Sequence, residues 1–322
     1  MRVGLLGAGS WGCALAELLC QNRHTILWWV HRTDIADSIR KTGKHPFIFP
    51  EHSFPPERIE QVTTNLTIVS QDADLIILAL PSRYIASALQ EVAIPQTKPW
   101  LSGTKGLLPE KALRPTEYLR SRGVNQVAIL SGPSYAEEVI AHRPTWVGLG
   151  TELPHLYELA HAALATSYFH LIPTSAVNAL EWIGILKNIY AIGIGAISLI
   201  GDNARAALAS AMLRELSQVL SAWAPEEAFD FLSPAWVGDF LVTAFGTLSR
   251  NQRLGQYLAQ GYSPRTALNR LGMVAEGYYA AQILFPRITP NFPILYSIVR
   301  VLSEKDSPET LRQHLMNHIG VG

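Results

Sequence analysis

The chain has 322 residues, 48% of them hydrophobic and 16% charged, with 26 basic side chains against 26 acidic ones. That is enough for two hydrophobic cores, and the balanced charge excludes bulk electrostatic attraction to nucleic acid or an anionic membrane. Two cysteines, Cys13 and Cys20, are too few for a disulfide framework, and no His/Cys/Asp/Glu spacing suggests a metal site.

The N-terminus opens with a short apolar strand over residues 2–6, interrupted by the turn GAGSWG. An apolar helix follows, with both cysteines near one of its faces, and then the strand HTILWWVHR and a helix over 34–41. Residues 43–59, GKHPFIFPEHSFPPERI, hold too many prolines for a regular element and are expected to form a long loop. The stretch LTIVS is expected to be a short strand, ADLIILAL a buried one, and PWLSGTK, QVAILSGPS and PTWVGLG three more. Strands alternating with helices indicate an α/β fold with a parallel, doubly wound Rossmann-type sheet. Beyond residue 175 the pattern becomes helical, over 176–194, 203–223, 226–232, 251–259, 264–270, 273–284, 292–302 and 308–318. The expected division is a dinucleotide-binding domain over 1–175 and an all-α C-terminal domain over 176–322.

The run 183–200 is the nearest approach to a membrane span, but Lys187 and Asn188 interrupt it and GDN closes it, so a buried helix is expected rather than stable membrane insertion. No signal-peptide pattern opens the chain, which makes a cytoplasmic location the expectation.

Gly7, Gly9 and Gly12 have the spacing G-x-G-x-x-G between a strand and a helix, the context in which the motif cradles a pyrophosphate. The following strand ends in His31 and Arg32 where an acidic residue would favour NAD. NADPH is therefore the expected cofactor and NADH a second one, with Asp34 as the competing acidic group just past the strand end. Lys105 and the segment SGPS (131–134) sit at the carboxyl ends of expected strands, where such sheets bind ligands. In the helical half, Lys187 and Asn188 lie inside an apolar helix, Asp239 and Thr243 are one helical turn apart, and Ser249, Arg250 and Asn251 open a helix, an arrangement suited to phosphate. A lysine in an apolar cleft has a lowered pKa and can exchange a proton beside a carbonyl.

Nine segments in order, GAGSWG, WVHR, TKG, SGPSYAEE, LKN, GDNARAAL, GDFLVT, SRNQRLG and VAEG, resemble the bacterial-type NAD(P)-dependent glycerol-3-phosphate dehydrogenases over nearly the whole chain. The resemblance implies reversible reduction of dihydroxyacetone phosphate to sn-glycerol 3-phosphate, a precursor of glycerophospholipids. By this likeness Ser10, Trp11, His31, Arg32 and Ala136 would contact the cofactor, and Lys105 both cofactor and substrate. Gly132 and Ser134 would line the substrate site. Lys187 would be the proton donor or acceptor, supported by Asp239; in the mechanism these residues suggest on their own chemistry, Lys105 and Asn188 help to fix and polarise the substrate oxygen. Ser249, Arg250 and Asn251 would hold the phosphorylated substrate, with Arg250 also near the cofactor and Val274 and Glu276 near its nicotinamide end or ribose. The chain departs from the family pattern in AISLIGDN, where a longer glycine-rich stretch is usual, in SAM at 210–212 in place of TRG, and in WVGD in place of GLGD. Two other readings remain, a dehydrogenase of a 2- or 3-hydroxy acid and a catalytically inactive nucleotide-binding module. A homodimer is allowed, although no residue pattern specifies it.

Overall fold

The computed structural model describes residues 1–90 and 92–319. The chain forms two compact units, one comprising residues 1–104 and 113–177 and the other 105–112 and 178–322. Residues 105–112 thus belong with the C-terminal helices, although they lie within the stretch expected to form the first domain.

The first unit runs β1 (Arg2–Leu6), α1 (Ser10–Gln21), β2 (Thr25–Trp29), α2 (Thr33–Thr42), β3 (Ile59–Thr63), α3 (Leu66–Asp72), β4 (Leu75–Leu78) and α4 (Ser82–Leu89). It continues with β5 (Trp100–Ser102), α5 (Pro115–Ser121), β6 (Val127–Ser131), α6 (Ala136–Ile140), β7 (Thr145–Gly150), α7 (Pro154–Leu164) and β8 (Phe169–Thr174). The eight strands form one sheet in the order β3-β2-β1-β4-β5-β6-β7-β8. The order reverses direction at β1, whose carboxyl end carries the glycine turn, so the turn sits where such sheets open a ligand crevice.

Three expectations needed correction here. LTIVS is part of α3, because Asn65 caps it by accepting from the Thr67 N–H at 3.1 Å and Leu66, Val69 and Ser70 bury one helical face. The edge strand is instead IEQVT at β3. The sheet is not wholly parallel: β7 pairs antiparallel to β6, since the five-residue α6 is too short to return the chain across the sheet. The strand β8 was not anticipated. Its Pro173 is tolerated because β8 is an edge strand.

The second unit contains α8 (Val177–Ala196), α9 (Asp202–Trp223), α10 (Asp239–Phe245), α11 (Arg250–Ala259), α12 (Pro264–Leu271), α13 (Glu276–Leu284), α14 (Pro293–Leu302) and α15 (Pro308–Asn317). No strand occurs among its described residues. Helix α8 is apolar all round because it is surrounded. A Cβ on Gly193 would come within 2.7 Å of Met212 on α9 and 2.6 Å of Ile298 on α14, and one on Gly255 of α11 would stand 2.0 Å from the Ile192 carbonyl oxygen. The expected helix over 226–232 is absent. Glu227 there accepts from the N–H groups of Asn178 and Ala179, at 2.9 and 2.7 Å, capping α8, while Asp230 accepts from the Leu232 N–H in a tight turn. Glu215 does the same for α14, accepting from the N–H groups of Ile294 and Leu295 and from the Tyr190 hydroxyl. No helix among the described residues is long and apolar enough to cross a membrane.

Candidate active site

The glycine turn of the first unit follows from close contacts. Gly7 adopts φ +117°, and a Cβ there would lie 2.5 Å from the Ala79 carbonyl oxygen. A Cβ on Gly12 would lie 2.4 Å from the Gly7 carbonyl oxygen, so α1 can start this close to β1 only without a side chain. At Gly9 the direction of a Cβ is open, with no atom within 4 Å, and no side chain caps α1. The free N–H groups of Ser10 and its neighbours in the first turn therefore face open space suited to a pyrophosphate. Trp11 lies beside Gly103, just past β5, and its buried indole N–H has no partner. A dinucleotide fits these residues: an open cradle at Gly9 and an unspent donor at Trp11.

The other expected residues of this unit fall at strand ends. His31 and Arg32 follow β2, with Arg32 as the N-cap of α2. The Arg32 guanidinium is engaged by Asp34 in the first turn of α2, with Nε 3.0 Å from Oδ1. Gly132 follows β6 and would clash with Val147 if it bore a Cβ, at 2.7 Å. The Ser134 hydroxyl donates to the Gly132 carbonyl at 2.9 Å, and buried Ala136 opens α6. The two cysteines on α1 are buried, and burial pushes both thiols up to about 12, which makes them unreactive packing residues.

In the second unit the lysine of α8 does not reach bulk water. Lys187 is 4% exposed and its ammonium donates to Oδ1 of Asp239, which is fully buried at the start of α10. The second carboxylate oxygen of Asp239 is 3.5 Å from Nζ of Lys105. Two amines therefore share one buried carboxylate. Burial lowers the Lys187 pKa, Asp239 partly restores it, and the neighbouring Lys105 lowers it again, to about 7. Such a side chain holds or releases a proton near neutrality. Among the described residues no group of His, Cys, Asp or Glu side chains could hold a metal ion.

Asn188 is locked beside it. Its Nδ2 donates to the Gly184 carbonyl at 3.0 Å, and its Oδ1 accepts from Nδ2 of Asn251 at 2.8 Å. Oδ1 of Asn251 accepts in turn from the Gly277 N–H at 3.1 Å. Gly277 is a packing position the sequence reading left out: a Cβ there would stand 2.5 Å from the Asn188 carbonyl oxygen, so α13 can begin this close to α8 only without a side chain at that position. The signal was present in VAEG, but nothing local distinguishes that glycine from a loop residue. The Thr243 hydroxyl donates to the Asp239 carbonyl at 2.7 Å, and the Ser249 hydroxyl caps α11 by accepting from the Gln252 N–H at 3.2 Å. Each hydroxyl spends one hydrogen bond on its own helix, which leaves the Thr243 oxygen able to accept and the Ser249 O–H able to donate. Arg250 opens α11 as its first residue, half-buried. Val274 precedes α13, and Glu276 begins it.

Family models match both halves of the chain. The NAD-dependent glycerol-3-phosphate dehydrogenase N-terminus matches residues 2–156, and the corresponding C-terminus residues 177–313. A glycerol-3-phosphate dehydrogenase (NAD(P)+) of Lysinibacillus sphaericus is 31% identical over 98% of this chain and 96% of its own. One of Dechloromonas aromatica is 32% identical over 98% and 97%. The crystal structure of glycerol-3-phosphate dehydrogenase from Coxiella burnetii superposes with a TM-score of 0.88 at 26% identity, covering 98% of each chain. With both halves matched in order and nearly the full length of each relative covered, the chain belongs to the NAD-dependent glycerol-3-phosphate dehydrogenase family.

Proposed function

We propose that the protein catalyses the reversible NAD(P)H-dependent reduction of dihydroxyacetone phosphate to sn-glycerol 3-phosphate, supplying glycerophospholipid synthesis. The observation that carries this reading is the Lys187–Asp239–Lys105 cluster, in which two amines converge on one buried carboxylate. When bound, the dinucleotide supplies the hydride for the carbonyl carbon. Lys187 gives its proton to the carbonyl oxygen as that oxygen gains charge, and Asp239 holds the amine in place. Lys105 adds a second positive charge to the polarising field, and Asn188 fixes the oxygen. In the reverse direction neutral Lys187 takes the hydroxyl proton. Arg250 and the N–H groups at the start of α11, with Asn251 and Ser249, hold the substrate phosphate. Gly132, Ser134 and Thr243 complete the substrate contacts.

Gly7, Gly9, Ser10, Trp11 and Gly12 would hold the cofactor, with His31 and Arg32 as the residues that would meet its adenosine end. The family resemblance adds Ala136, Lys105, Arg250, Val274 and Glu276 as residues that would contact it. Arg32 supports a preference for NADPH, with NADH as an accepted alternative. The partner is a small phosphorylated substrate and not a nucleic acid, and we take the enzyme to work in the cytoplasm as a homodimer.

The test is a spectrophotometric assay of nicotinamide oxidation with dihydroxyacetone phosphate against a panel of 2- and 3-keto acids, each with NADPH and NADH. Turnover with the phosphorylated triose alone is the expected result. Turnover only with a keto acid would replace this reading, and cofactor binding without any turnover would favour an inactive module.

A further inference from the structure

The proline- and phenylalanine-rich segment after α2 is left unexplained by the glycine motif. It is a closed loop: the Phe54 N–H donates to the Gly43 carbonyl at 2.8 Å, joining its two ends. One side chain, Phe54, fastens it beside the nucleotide turn, and His45 braces it from within. Buried Phe54 packs edge-on to Trp28 at 5.1 Å, and the Trp28 indole donates to the Gly7 carbonyl at 2.8 Å. His45, 1% exposed, accepts from the N–H groups of Phe47 and Ile48 through Nδ1, which assigns its proton to Nε2, a buried donor with no hydrogen-bond partner among the described residues. The loop tip presents Phe47, 64% exposed, and the Arg32 guanidinium lies 5.2 Å from the centre of its ring. The same guanidinium is held edge-on by both oxygens of Asp34. Of its five N–H donors, two are committed to Asp34 and the rest remain for a ligand.

We propose that Asp34 and Phe47 set the cofactor choice of this enzyme through Arg32, Asp34 by moderating the preference for NADPH and Phe47 by sustaining it. The inference rests on the reading of Arg32 as the contact for the 2′-phosphate. A 2′-phosphate arriving at Arg32 meets the Asp34 carboxylate beside it, a like-charge contact that costs affinity. A ribose with free hydroxyls finds in the same carboxylate a hydrogen-bond acceptor. The aromatic face of Phe47 restricts the guanidinium to one orientation, so less freedom is lost when a phosphate binds. One ion pair thus serves both dinucleotides, with a narrow margin between them.

The experiment is titration of NADPH and of NADH into the full-length protein and its variants, followed by nicotinamide fluorescence at fixed ionic strength, with thermal unfolding of each variant as a check on folding. Asp34→Asn is expected to tighten NADPH about tenfold and to leave NADH unchanged or weaker. Phe47→Ala is expected to weaken NADPH about threefold or more while NADH stays within about twofold. Phe47→Leu, which keeps the apolar bulk, replaces it if the alanine variant unfolds. An unchanged or reversed NADPH-to-NADH ratio in Asp34→Asn overturns the role of Asp34, and an unchanged ratio in the Phe47 variant overturns that of Phe47. Arg32→Ala separates the two levels. Loss of the NADPH preference in that variant alone leaves the Arg32 reading standing and removes this inference, whereas an unchanged ratio in it removes both.

Discussion

Lys187 turns its surroundings into a prediction with a definite sign. Its pKa is lowered to about 7, first by burial and then by Lys105, against the pull of Asp239. Reduction requires the protonated amine, so kcat/KM for dihydroxyacetone phosphate is expected to fall as pH rises through about 7. Oxidation of glycerol 3-phosphate requires the neutral amine and is expected to rise over the same interval. Parallel pH profiles in both directions would contradict this assignment. Lys187→Met keeps the apolar volume, and Asp239 retains Lys105 as a partner, so the variant does not strand a buried carboxylate. A fall in kcat of about a hundredfold to ten-thousandfold is expected, with cofactor affinity by fluorescence titration unchanged. At this scale the sequence disclosed which residues were chemically out of place. It did not disclose that the lysine is buried rather than extended to solvent, because that depends on Asp239, which lies far away in the chain.

At the scale of elements, the helix of Lys187 is held by contacts between backbones. Gly195 on α8 and Gly255 on α11 face one another, with a Cβ on Gly255 only 2.8 Å from the Gly195 Cα as well as 2.0 Å from the Ile192 carbonyl oxygen. Neither obstacle is a flexible side chain, so the helices themselves must part to admit a methyl group. Gly255→Ala is therefore expected to destabilise the protein by about 2–3 kcal/mol, read as a lower urea midpoint at constant m-value. It is also expected to lower activity by moving Asn251 away from Asn188. An unchanged midpoint would mean the crossing is looser than its geometry. Helices with long apolar periodicity were legible from their residues, and α8, α9, α11, α12, α14 and α15 fall where expected within a few positions. The failures were short segments. In α3 an asparagine cap outweighed β-branched composition, and between α9 and α10 Glu227 gives its carboxylate to another helix rather than to a helix of its own.

For the molecule as a whole, exposed apolar side chains such as Leu199, Leu232 and Leu248 are candidates for a contact in the proposed homodimer. A homodimer predicts a sedimentation mass of twice the 35.5 kDa chain. A single-chain mass across the micromolar range would exclude it.

The residues alone determined the class of fold, the nucleotide turn and the short set of polar side chains out of place in apolar surroundings. Each of these depends on spacing within a few positions, where backbone geometry repeats and leaves a readable pattern. Tertiary structure alone decided that Lys105 and Lys187 share the Asp239 carboxylate, that Asn188, Asn251 and Gly277 interlock, and that a proline-rich loop brings Phe47 to Arg32. Those contacts join residues far apart in the chain, and a carboxylate, an amide or a missing side chain at one end leaves no local mark of its partner at the other.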